Sequence, residues 1–170
     1  MPLSFYRVTV PVFVHSLGSL SGILSKAAAF AEAKKIDPVV MCGLRLTADM
    51  LPLSRQVSTA CDSAKLAVAR LSGVEAPKHA DDEKDFVELQ SRIAKTLDYI
   101  RSVPEAAVEA GGGRKVSMKL GGTLREFEPD AYVTLFALPN FYFHVSATYA
   151  ILRANGVDLS KRDYLGPILE

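Results

Sequence analysis

The chain is predicted to be all-α: a four-helix bundle with a small β-hairpin inserted before the last helix. Three observations point there. Four long stretches repeat apolar residues at spacings of three and four, the period of a helix with one buried face. Proline and glycine fall at the borders of those stretches. A Gly121-Gly122 pair separates two short alternating runs, which is a hairpin signal. At 170 residues a single domain, 1–170, is expected.

The first helix is read over residues 4–34. Tyr6, Val10, Phe13, Leu17, Leu20, Leu24, Ala27 and Ala31 form its seam. Pro11 predicts a kink or a start there. Val8, Val10, Val12 and Val14 alternate as a strand would, but the seam runs well past them and favours helix. His15 lies off the seam and reads as a surface or subunit-contact histidine. A second apolar line, Val8, Val12, Ile23 and Phe30, predicts cover by another subunit and hence a homodimer.

Ile36-Asp37-Pro38 ends that helix, and a short turn and connection follow to Asp49. Pro52 suits the first turn of the second long helix, whose buried stripe is Leu53, Val57, Ala60, Ala64, Val68 and Leu71, with Gly73 as the stop. Arg55, Thr59 and Asp62 share a neighbouring face and Gln56 flanks the stripe. They line a cleft, or else form a solvated face with an Arg–Asp pair. The loop from Val74 to Asp82 carries His79, expected in solvent. Asp81 or Asp82 is expected to cap the third long helix, with Glu83 and Asp85 in its first turn. Its apolar line is Phe86, Leu89, Ile93, Leu97 and Ile100, closed by Pro104, and Glu88 and Arg92 are expected to pair on its wetted side.

Gly111-Gly112-Gly113 does not read as a phosphate loop: no strand precedes it and no Lys-Ser/Thr follows. The hairpin is expected over Arg114–Leu120 and Thr123–Phe127, leaning on the helices. Asp130 is expected to cap a short helix that kinks at Pro139 into the most apolar and aromatic segment, Leu138 to Gly156. With almost no charge, that last helix is expected to be buried nearly all round. It carries one polar line, Asn140 and His144, a turn apart. The tail from Val157 to Glu170 is expected to make one helical turn and to pack back through Leu159, Tyr164 and Leu165.

Composition narrows the function. The chain is 49% hydrophobic and 23% charged with net charge +1, too little for a nucleic-acid or anionic-membrane partner. No window is read as long and apolar enough to span a bilayer, and Met1 to Arg7 lacks the pattern of a secretory signal; a cytoplasmic protein is expected. Cys42 and Cys61 have neither metal-ligand nor CxxC spacing and read as buried fillers.

Across Leu138 to Val145, Tyr149 to Arg153 and Asn155-Gly156-Val157 the chain resembles a bacterial and fungal family of small proteins catalogued as a domain of unknown function. The likeness extends through Val10 to Phe13, Asp49 to Val57, Asp62 to Lys65, Lys119 to Gly122 and Asp163 to Gly166, close to full length. That family is similar to the DinB/YfiT-like bundles, whose better-known members hold a divalent metal through three histidines and include thiol-dependent transferases. The resemblance implies an up-down-down-up bundle, often dimeric, and supplies no activity. The metal-binding relatives use one histidine on the second helix and a His-xxx-His pair on the last. Here Asn140 precedes His144, Thr148 follows it, and the second helix offers Arg55 and Gln56, so no metal and no cofactor are expected.

Two functions follow. One is a binding module with a small-molecule cleft around His144, for which Arg55, Gln56, Asp62, Asp49, Asn140 and Tyr132 are the candidate ligand-binding residues. The competing structural role for His144 is a core histidine bonded to Asp49, Asp62 or Tyr132. The other is a metal-independent or thiol-dependent transferase or hydrolase, with His144 as general base, Asp62 or Asp49 orienting it, and Arg55 holding an anionic substrate group.

Overall fold

In the computed structural model, which describes residues 4–167, helix α1 spans Phe5–Lys34 without interruption at Pro11. Ser4 caps it by accepting a hydrogen bond from the Arg7 N–H, and Pro11 sits on the exposed side. The seam is buried from Val10 to Ala31. The second apolar line is not a continuous open stripe, as the sequence had suggested: Ile23 is fully buried within the chain, and Phe30 packs beside Gly156. α1 is also long and apolar enough by length and composition to cross a membrane, which corrects the expectation that no window is; 50% of that window is buried in the bundle.

Short α2, Pro38–Cys42, leads to α3, Leu53–Ser72, whose six predicted stripe residues are all fully buried. Gly73 ends α3 at φ 76°, a left-handed conformation suited to glycine. α4 is Phe86–Ser102. Its cap is Asp85 rather than Asp81 or Asp82: Asp85 accepts from the Glu88 N–H while Glu88 accepts from the Lys84 N–H, a reciprocal arrangement that closes the first turn. The polar segment between Gly73 and Asp85 straps the outside of α3 and α4, held by Lys65 Nζ donating to the Pro77 carbonyl and Tyr99 to that of Val74.

Helix α5, Glu105–Glu109, runs into the triple glycine, which forms a tight helical turn against the end of α3. A Cβ on Gly111 would clash with the Leu71 carbonyl oxygen and one on Gly112 would lie 2.7 Å from the Phe5 ring. Gly111 and Gly112 thus allow close packing, while Gly113 has open space beside it. Strands β1, Val116–Leu120, and β2, Thr123–Phe127, pair antiparallel with Val116 opposite Phe127. Gly121 and Gly122 turn between them at φ 55° and 82°, as a two-residue hairpin requires.

A short α6, Pro129–Ala131, with Glu128 as its cap in place of Asp130, continues into a wide π-type turn over Tyr132–Ala137 and then α7, Leu138–Ala154. The expected break at Pro139 is this wide turn. Proline removes a donor from the helical ladder, and one extra residue per turn accommodates the loss. α7 packs chiefly on α3 and less on α1. It is not buried all round: Phe143 is 54% and Tyr142 37% exposed on its outer side, because no element among the described residues covers that face. The last helix, α8, Lys161–Leu165, docks on α1 through Asp163 to Lys26 and His15 Nε2 to the Leu165 carbonyl; Tyr164 bonds Ser146 on α7. Leu159 and Tyr164 pack inward as expected, whereas Leu165 is 39% exposed. Met1 to Leu3 and Ile168 to Glu170 lie outside the described residues.

Candidate functional site

Two side-chain pairs join α3 to α7. Gln56 Oε1 accepts from His144 Nδ1 at 2.7 Å, and Asn140 Nδ2 donates to Ser63 Oγ, also at 2.7 Å. The numbering runs in opposite directions along the two helices, so they are antiparallel, and one turn on α7 answers nearly two on α3. Gln56 is positioned in turn by its own Nε2, which donates to the Leu51 carbonyl. That bond orients the amide, so the ring nitrogen facing Oε1 must carry the proton and the lone pair of His144 sits on Nε2. Burial holds the His144 imidazolium down, below the ordinary 6.5, and the ring is neutral at pH 7. His144 is therefore bonded as a core histidine, but its partner is Gln56 and not Asp49, Asp62 or Tyr132.

The other predicted residues are spread apart. Asp49 is exposed and accepts from Thr47 beside it. Tyr132 is buried and accepts at its hydroxyl from Arg70 Nη1 at 2.9 Å. Asp62 faces α4, where Arg92 and Lys65 both reach its Oδ1, at 2.8 and 2.7 Å. Arg55 turns to the strap and donates to the Asp81 carbonyl.

Arg92 was expected on the wetted face beside Glu88, and instead it is 2% exposed. It lies three residues after Leu89 and four before Thr96, on the buried stripe itself. Its guanidinium bridges Asp62, Asp81 and Glu83 at 2.7 to 2.8 Å. Burial opposes its charge, but those three carboxylates outweigh the burial and hold it protonated. Burial likewise pushes Asp81 up, and the hydrogen bond and charge of Arg92 more than reverse it. Asp81 stands at φ 60°, a left-handed conformation that aspartate tolerates better than most residues. His79 is not simply in solvent: its Nε2 is buried without a hydrogen-bond partner among the described residues, and burial, then Arg92 and Lys65, depress its protonation. Both cysteines are buried, and burial pushes each thiol up to about 12, so neither supplies a thiolate at neutral pH.

Where the hairpin and the wide turn lean on α3 and α7, a cleft of about 170 Å³ opens. Leu66, Met118, Phe136 and Ala137 are its apolar walls, and Arg70, Tyr132, Asn140, Ser63, Thr59 and Asp62 are its polar groups. Three of the predicted ligand residues, Asn140, Tyr132 and Asp62, meet there. Arg70, which the sequence reading did not single out, sits between this cleft and a second cavity of about 510 Å³ under the strap. Its place beside the buried stripe gave no sign of function, and its partner Tyr132 lies 62 residues away.

Compared with known proteins, residues 5–165 match the family described as Domain of unknown function (DUF1993). The chain belongs to this family. A crystal structure of a DinB family member protein from Shewanella denitrificans is similar at 41% identity, over 96% of this chain and 92% of that one, with a TM-score of 0.87. The fold of this family member is thus DinB-like. No curated protein matches the chain. The three-histidine metal set implied by the DinB/YfiT resemblance does not fit these residues. At the last-helix pair, Asn140 offers an amide that already donates to Ser63, and the α3 residue bonded to His144 is Gln56. Among the described residues, no three His, Cys, Asp or Glu side chains gather as ligands.

Proposed function

We propose that this protein is a small-molecule-binding helical bundle that works as a homodimer. The observation that carries the binding reading is the cleft between the hairpin, α3 and the start of α7. Polar groups from α3, the wide turn and α7 converge there beside apolar walls, and the volume of about 170 Å³ suits a ligand smaller than the drug-sized molecules of ~300–1,000 Å³ pockets. Sequence reasoning centred the cleft on His144; the geometry supports centring it one turn away, on Asn140. Titration of the isotope-labelled protein with small apolar fragments, each bearing one polar group, tests this by NMR. Saturable shifts should gather at the backbone amides of Met118, Phe136 and Asn140. No saturable shift anywhere, or shifts only around Gln56 and His144, would overturn it.

The homodimer reading rests on the uncovered face of α7. Tyr142 lines a groove of about 680 Å³ with Pro11, Val12, Val14, Leu165, His15 and Ser16, and Phe143, the next residue on α7, is 54% exposed. Exposed aromatic side chains of this kind are enriched at protein interfaces. Sedimentation at micromolar concentration should give a dimer that Phe143→Glu dissociates; a monomeric wild type would remove the claim.

One observation favours the enzyme alternative. The Gln56 bond fixes the tautomer that a general base at His144 Nε2 needs, and burial keeps the ring neutral. A metal-independent turnover that falls as pH drops below 6.5, abolished in a His144→Gln variant of unchanged melting, would establish it in place of the binding module.

A further inference from the structure

The binding reading says nothing of what the cleft prefers, and the spare hydrogen-bonding capacity of its walls does. Arg70 has no carboxylate within 4 Å among the described residues, and its recorded bond is to a neutral phenol, Tyr132. Its guanidinium presents five donors, and this bond uses one of them. Tyr132 accepts from Arg70, so its own O–H remains to donate. Burial raises the phenol above the ordinary 10 even though Arg70 opposes that, which keeps the O–H proton in place at neutral pH. Asn140 donates one amide hydrogen to Ser63 and keeps a second. The one acid in the wall, Asp62, has its charge met by Arg92 and Lys65 on the far side. Donors therefore outnumber free acceptors, and a positive charge stands without a counter-charge beside an apolar wall.

The wide turn produces this arrangement. Tyr132 opens it, Phe136 follows one wide turn later, and Asn140 comes next on α7, so that all three reach one cleft. Its volume of about 170 Å³ is close to the ~150 Å³ of an engineered cavity that holds one benzene ring.

We propose that the cleft takes a small organic anion of benzoate size. Its carboxylate is held by Arg70 and the Tyr132 hydroxyl, and its ring or short chain lies against Leu66, Met118 and Phe136. A guanidinium fork matches the two carboxylate oxygens in a way that no neutral isostere can. This inference rests on the binding reading above, and the probes are chosen to separate the two.

Calorimetric titration of the full chain with benzoate, with benzamide as the neutral molecule of the same shape, and with acetate as the anion without a ring is the test. Benzoate should bind saturably, benzamide at least ten-fold more weakly, and acetate without measurable heat. Arg70→Gln should bring benzoate down to the benzamide level while the melting temperature stays near wild type. Should Arg70→Gln disturb the fold through Tyr132, a Met118→Trp variant on the hairpin serves instead: it fills the cleft and should abolish binding of both ring compounds. Benzoate and benzamide binding equally would overturn the anion preference and leave the cleft standing. Acetate binding as well as benzoate would overturn the claim for a ring-sized body. No binding of any probe would overturn the anion proposal, and with it the cleft if the fragment titration is also blank.

Discussion

Helix α3 buries polar groups on two faces by two different means. Toward α4, two buried cations, Arg92 and Lys65, meet the half-buried carboxylates of Asp62, Asp81 and Glu83, with two of the carboxylates brought by the strap. Toward α7, neutral groups are paired, His144 with Gln56 in the core and Asn140 with Ser63 half-buried beside the cleft. The ionic face requires every member, because a charge left alone in the interior costs far more than a dipole left alone. The neutral face needs one partner per group and leaves capacity over. Spare donors stand on the α7 side, at Tyr132 and Asn140, and the proposed ligand site lies there.

The largest effect should come from breaking the ionic face. Arg92→Met leaves three carboxylates facing a methyl group and should cost ~3–5 kcal/mol in urea unfolding, the usual loss when one partner of a buried ion pair is removed. A loss under about 1 kcal/mol would mean that water reaches the cluster and that the strap does not seal it. The neutral face should be cheaper to break. His144→Phe strands the Gln56 carbonyl and should cost ~1–3 kcal/mol, part of which the double variant His144→Phe with Gln56→Leu should restore. Failure to recover any of it would show that packing volume, and not the hydrogen bond, sets the cost.

A pH series distinguishes the faces next. His144 and His79 are both depressed below 6.5 in the fold. Below that pH the unfolded chain takes up their protons first. Stability should therefore fall as pH drops under 6.5, with a slope of at most ~1.4 kcal/mol per pH unit per histidine. His144→Gln and His79→Gln should each flatten part of that slope. Asp81 has the same sign in a lower window: its folded value lies below 3.8, so its contribution is whole above 3.8 and is lost as pH falls through the folded value. A stability profile flat between pH 5 and 7 would contradict the burial of both rings. The smallest effect belongs to neither face. Lys26→Met removes a surface pair with Asp163, whose carboxyl Lys26 and the Ser160 bonds pull down to about 2, and should change stability by only ~0.2–1 kcal/mol.

The contrast also explains what the sequence made legible. The seams of α1 and α3 and the Gly121-Gly122 turn follow from local spacing, and local spacing is what a sequence displays. The polar line Asn140–His144 was legible for the same reason, since a turn of helix is a local relation. Arg92 was misplaced because a local charge partner, Glu88, stood four residues away, whereas its actual partners Asp62 and Asp81 arrive through tertiary structure. The apolar residues at i−3 and the buried Thr96 at i+4 were the signal that could have placed it inward. Pro139 announced an irregularity, but the wide turn that aims Tyr132 into the cleft depends on how α7 settles on α3. Arg70 had no local mark at all; its role appears only when Tyr132 is carried to it. The exposed aromatic face of α7 was missed because an apolar sequence registers the wish to be covered and not the element that does the covering.

The most direct measurement is a crystal structure of the protein soaked with a set of small ring compounds, some anionic and some neutral. The account predicts that the first bound molecule lies between Met118, Phe136 and Asn140, with an oxygen on Arg70 and the Tyr132 hydroxyl. A molecule seated on His144 Nε2 instead, with that cleft empty, would contradict it and return the histidine to the centre of the function.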